Sequence, residues 1–91
     1  MSKVEHEVEI VNELGLHARA AVKLTQTAQK FPCEIVLSRD DQRANAKSVM
    51  GVLLLCGSKG TKIKVEADGD GAEEAVLAID QLVAARFGEP R

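Results

Sequence analysis

Apolar and charged residues alternate over the first ten positions of the chain. Val4, His6, Val8 and Ile10 take one set of places and Lys3, Glu5, Glu7 and Glu9 the other. That is the period of a strand with one wet face and one face turned inward. Asn12 to Gly15 breaks it. From Ala18 the period lengthens: Ala21, Leu24, Ala28 and Phe31 recur at spacings of 3, 4 and 3, the stripe of an amphipathic helix. Pro32 is its predicted stop, because the residue before a proline is pushed out of helical geometry. Glu34 to Ser38 reads as a second strand, Asp40 and Asp41 as a turn, and Gln42 to Asn45 as a short third strand. Ser48 opens an apolar stretch, Val49 to Cys56, which Gly57 closes in the manner of a glycine helix cap. Thr61 to Ala67 alternates again as a fourth strand. Asp70 and Glu73 have the spacing of a capping box, ahead of a last helix whose buried stripe is Ala75, Val76, Ile79, Leu82 and Val83. Gly88 and Pro90 read as a frayed tail.

The order strand, helix, strand, strand, helix, strand, helix (βαββαβα) predicts an α/β protein with a largely antiparallel sheet. Each strand has one apolar face, so helices should cover one side and water the other, giving a two-layer sandwich. The chain of 91 residues suits one domain, 1–91, with its core within about 4–85. Its only aromatic residues are two Phe, so the core is expected to be Val, Leu, Ile and Ala. So few aromatics argue against base stacking, and a net charge of -2 with scattered Lys and Arg argues against binding a row of phosphates. No nucleic-acid partner is expected. Cys33 and Cys56 belong to no metal-ligand spacing and read as reduced thiols of a cytosolic protein. No apolar run approaches the roughly 18 residues of a membrane span, and the start is wrong for a signal peptide. The expectation is a soluble, cytoplasmic protein with no cofactor or metal and no membrane association.

Groups able to do chemistry are few. His6 lies within the first strand and reads as a partly buried residue at a sheet edge. His17 falls where the turn hands over to the first helix, with Gly15 two residues before it and Arg19 two after. A helix start offers unpaired N–H groups and the positive end of the dipole, together a site for an anion. The dipole also disfavours imidazolium, which leaves a ring nitrogen with its lone pair. A neutral imidazole beside an anion site is what a phosphoryl acceptor requires.

The segment Gly15-Leu16-His17-Ala18-Arg19-Ala20-Ala21 resembles the active-site signature of the HPr family of phosphocarriers, which reads Gly-Leu-His-x-Arg-Pro-Ala. Lys47-Ser48-Val49-Met50-Gly51-Val52 is similar to the same family's regulatory-serine segment. The resemblance implies an open-faced sandwich: a four-stranded antiparallel sheet covered on one face by three helices. It implies a phosphotransfer intermediate rather than a stand-alone catalyst. His17 would take a phosphoryl group on Nδ1 from phosphorylated Enzyme I of the phosphoenolpyruvate:sugar phosphotransferase system. It would pass the group to a histidine of a sugar-specific Enzyme IIA. Arg19 and the N–H groups of Ala18 and Arg19 would hold the phosphoryl oxygens. The alternative is a regulatory paralogue serving a nitrogen-type or signalling relay without sugar transport. Ala20 stands where the family has proline, a departure that restores an N–H near the phosphate. A carrier that must show His17 to successive partners is expected to be monomeric.

Ser48 reads as a helix N-cap. By the resemblance it is also a regulatory site for an HPr kinase/phosphorylase. Val49, Met50 and Leu53 share one helical face and are the candidate partner-docking residues, methionine suiting a surface that must fit several partners. Gly57-Ser58-Lys59-Gly60-Thr61 lacks the spacing of a phosphate loop, and Asp68-Gly69-Asp70-Gly71 lacks the later ligands of a calcium loop.

Overall fold

The computed structural model describes residues 3–91. Its elements run β1 (Lys3–Glu9), α1 (Ala18–Ala28), β2 (Glu34–Arg39), β3 (Gln42–Asn45), α2 (Val49–Leu54), β4 (Lys62–Asp68) and α3 (Ala72–Ala84), followed by a 3₁₀ turn, Arg86–Gly88. The four strands form one sheet in the order β1-β4-β2-β3, every neighbouring pair antiparallel. The last strand in sequence is therefore inserted between the first two. β1 pairs with β4 from Lys3↔Asp68 to Glu9↔Lys62, and β2 pairs with β4 from Glu34↔Asp68 to Ser38↔Lys64.

That register places Val8, Ile35, Leu37, Ile63, Val65 and Ala67 on one face, all buried beneath the helices. α3 lies over β1 and β4, and α1 packs between α2 and α3. α1 and α3 contribute most of the stripes their periodicity predicts, Ala21, Leu24 and Ala28 from α1 and Ala75, Val76, Ile79 and Val83 from α3, whereas Phe31 lies past the end of α1 and both it and Leu82 are only partly buried. The opposite sheet face is polar apart from Val36, and one of its carboxylates is buried. Glu66, on the central strand, is buried beneath Lys3 at 3.0 Å and Arg43 at 3.7 Å. The hydrogen bond from Lys3 holds its carboxyl below the usual carboxylate range.

The structure corrects the reading in five places. Gly71, in left-handed conformation (φ 78°), caps α3, so Asp70 forms no capping box. Glu73 and Glu74 still lie in the first turn, where the dipole favours negative charge. The left-handed residue after α2 is Cys56 (φ 54°), not Gly57. Arg39 donates to the Leu55 and Cys56 carbonyls, both at 2.8 Å, and so satisfies the end of that helix from another strand. His6 is exposed on the edge strand, 3.8 Å from Asp80. The core is not wholly aliphatic, because Phe87 is completely buried. The segment after α3 is consequently no frayed tail. Arg86, Phe87 and Gly88 all take left-handed φ (58°, 55° and 80°), which turns the chain back across the start of α1. Lys23 anchors the reversal by donating to the Phe87 carbonyl at 2.6 Å.

Candidate functional site

Residues 11–16 bring His17 into place. Asn12 is wholly buried, and its side-chain amide donates to the Gly15 carbonyl at 2.9 Å. Gly15 has φ +66°, and a Cβ there would run into the Gly57 carbonyl oxygen. The next amide, Leu16, donates to that same oxygen at 2.7 Å. The loop before α1 is thus pressed against the loop after α2, an approach that only glycine permits at position 15.

His17 is the N-cap of α1, with extended backbone (φ -72°, ψ 177°) and no side-chain cap bond. The first rung of the helix runs from the Ala21 N–H to the His17 carbonyl at 2.9 Å. The amides of Ala18, Arg19 and Ala20 precede that rung, so the ladder leaves them without an acceptor. Ala20 supplies one of these donors while its methyl is fully buried. The proline of the family signature would supply no such donor.

The His17 ring is 27% exposed, and its Nε2 meets Glu89 Oε2. A carboxylate only accepts, so the proton in this contact belongs to Nε2. In the neutral ring Nδ1 is then the nitrogen that keeps a lone pair. The other Glu89 oxygen, Oε1, accepts from the Asn12 side-chain amide at 2.8 Å. The hydrogen bond from Asn12, then that from His17, holds the Glu89 carboxyl below the usual carboxylate range. Beside the ring lies a cleft of about 700 Å³ lined by Leu14, His17, Ala18, Arg19, Glu89 and Arg91 among others. Arg19 and Ala18 are exposed at its edge, and Leu14 is 70% exposed.

Ser48 caps α2: its Oγ accepts from the Gly51 N–H at 3.1 Å. Of the helical face chosen from sequence, Met50 is 68% exposed, whereas Val49 and Leu53 are half-buried against the core. Leu54 is 68% exposed and joins Met50 as the apolar surface of this helix. The spacing of Val49, Met50 and Leu53 named a face without saying which way a helix of six residues (Val49–Leu54) is rotated. Sequence reasoning also missed Asn12, Lys23, Phe87 and Glu89. The one available signal was Phe87, a rare aromatic in an aliphatic chain and so a poor candidate for a loose end. Among the described residues, no helix is long and apolar enough to cross a membrane, and no cluster of three or more His, Cys, Asp or Glu could hold a metal ion.

The family described as "PTS HPr component phosphorylation site" matches residues 4–85. The chain is 45% identical over 86 residues to the phosphocarrier protein HPr of Neisseria meningitidis, covering 94% of this chain and 97% of that one. It is 44% identical over 89 residues to the phosphocarrier protein NPr of Shewanella violacea, covering 98% of each. The crystal structure of HPr-C-His from Thermoanaerobacter tengcongensis superposes with a TM-score of 0.91 at 43% identity over 100% of both chains. The motif at His17, the four-stranded open-faced sandwich and these full-length likenesses agree, and the chain belongs to the HPr family, the phosphocarriers of the phosphotransferase system.

Proposed function

We propose that this chain carries its phosphoryl group on Nδ1 of His17, accepting it from phosphorylated Enzyme I and passing it to a histidine of an Enzyme IIA. The observation that carries the reading is the ring itself: Nε2 is engaged by Glu89 at the start of α1, so in the neutral imidazole the lone pair is on Nδ1. A phosphoryl group in transfer spreads its charge over its oxygens, so catalysis is chiefly positioning and charge stabilisation. The amides of Ala18, Arg19 and Ala20 and the exposed Arg19 guanidinium supply both without enclosing the group. A carrier needs that openness, because a site that sealed the phosphate would not release it. Met50 and Leu54 on α2 and Leu14 beside the histidine are exposed apolar residues on which successive partners would settle.

Regulation at Ser48 belongs to the same reading. A phosphate there would replace a helix cap with a charge of about -1.5 to -2, which the helix tolerates but a partner docking on Met50 would not. A monomeric, cytoplasmic carrier fits the role. The likeness to an NPr supports a second reading, a relay with nitrogen-type partners and no sugar transported. The test is intact mass after incubation with Enzyme I, Mg²⁺ and phosphoenolpyruvate, on wild type and His17→Ala. One acid-labile phosphoryl group, absent from the variant, is expected. Uptake from the sugar-type Enzyme I but not its nitrogen-type counterpart selects the first reading, and the reverse selects the second. No uptake from either overturns both.

A further inference from the structure

We infer that Glu89 is a positioning residue for phosphoryl transfer through His17, delivered to the site by the chain reversal that follows α3. The inference rests on the carrier reading above and adds a residue to it. Glu89 lies outside residues 4–85, where the family match ends, so the signature motif does not supply it.

The contact is built from several sides. Glu89 is only 12% exposed at its side chain, and each carboxylate oxygen has its own donor, Asn12 on one and the His17 ring on the other. Asn12 is itself wholly buried and fixed to the Gly15 carbonyl. Phe87 is sunk in the core two residues earlier, with Lys23 of α1 on its carbonyl. The Glu13 N–H donates to the Arg91 carbonyl at 3.2 Å just beyond. Left-handed backbone at Arg86 and Phe87, neither a glycine, is a strained conformation that the fold maintains. Such strain is expected where the surrounding contacts over-determine a position. This pair is thus unlike a surface ion pair between two mobile side chains.

The chemistry follows from the proton on Nε2. In uptake, the Nδ1 lone pair forms the new bond to phosphorus while the donor's bond to phosphorus breaks and the donor atom keeps that electron pair. With the ring in its neutral form, no proton has to leave Nδ1. The phosphorylated ring is left with its Nε2–H and a positive charge, which the Glu89 carboxylate opposes. In delivery, the Nδ1–P bond breaks with its electron pair returning to Nδ1, and the ring departs as neutral imidazole with Nε2–H still in place. One carboxylate therefore serves both half-reactions by keeping a single proton where it is.

The test compares wild type, Glu89→Ala and Glu89→Gln. Asn12 and His17 meet different oxygens of Glu89, and in glutamine one of those positions becomes an NH2 that cannot accept, so the variant keeps one of the two bonds. Single-turnover and steady-state uptake from phosphorylated Enzyme I should show the maximal rate reduced about tenfold in Glu89→Ala, with the KM for Enzyme I within about twofold. Glu89→Gln should fall between the two. The imidazole ¹H–¹⁵N spectrum supplies a readout independent of transfer: a slowly exchanging Nε2–H correlation in wild type that is lost in Glu89→Ala, with the backbone pattern of the sheet unchanged. A rate in Glu89→Ala equal to or above that of wild type would mean that the segment merely covers the histidine, and the inference falls. Failure of the carrier reading looks different, because then wild type itself takes up no phosphoryl group from a competent Enzyme I.

Discussion

α1 and α2 both begin with a polar residue in extended conformation, His17 and Ser48, and the two starts are used in opposite ways. At α2 the capping side chain turns inward and takes the Gly51 amide, so the helix satisfies its own first turn. At α1 the side chain turns away, and the amides of Ala18, Arg19 and Ala20 have no partner in the helix. The ring that declines the capping role is held instead by Glu89, about seventy residues along the chain. A local cap closes a helix start, whereas a long-range contact holds a side chain in place and leaves the start open. An anion site needs the second arrangement.

His17→Ser breaks the contrast most severely, by giving α1 the same capping residue as α2. Phosphoryl uptake should fall to background by intact mass while the amide spectrum remains that of the folded protein. Phe87→Ala attacks the contact that keeps α1 open. Emptying the site of a fully buried aromatic should cost about 3–5 kcal/mol in denaturant unfolding, a large share of a small domain's stability. The matching change at α2, Ser48→Ala, removes one local cap and should cost only ~1 kcal/mol by the same measurement. Ala20→Pro returns the family residue and deletes one of the open donors of α1. Uptake should slow by about threefold, the worth of one exposed hydrogen bond, and equal rates would show the substitution to be silent.

The smallest effect is that of acid. The Glu89 carboxyl is held below its ordinary range, first by Asn12 and then by His17. Its folded-state pKa therefore lies below its unfolded one, so its contribution is complete above the unfolded value and is lost as pH falls through the folded value. Unfolding measured from neutral pH downward should show stability declining through and below the ordinary carboxylate range. Glu89→Gln should lack that part of the slope, and parallel curves would show that the carboxylate is not held as described.

Much of this was legible along the chain because it depends on neighbours in sequence. The two-residue period of Lys3–Glu9 and Lys62–Asp68 marks strands, and the stripe of Ala21, Leu24 and Ala28 marks a helix, whatever they pack against. Ser48 could be named a cap for the same reason, since its partner, Gly51, is three residues away. His17 could be named from its place at a helix start within a known signature. Asp70 shows how a short pattern misleads: the spacing to Glu73 was right, but Gly71 took the left-handed turn and moved the helix start one residue on.

The sequence by itself determined the order of elements, most of their buried stripes and the family, and it singled out His17 as the proposed acceptor, because each rests on periodicity or on a contiguous motif. Only the tertiary structure decided that β4 lies between β1 and β2, that Met50 and Leu54 are the exposed apolar residues of α2, and that Glu89 meets the ring. These depend on where segments distant in sequence come to rest. Glu89 in particular reaches His17 because Phe87 has a place in the core to fill and the chain must reverse to fill it, a requirement written in no local pattern.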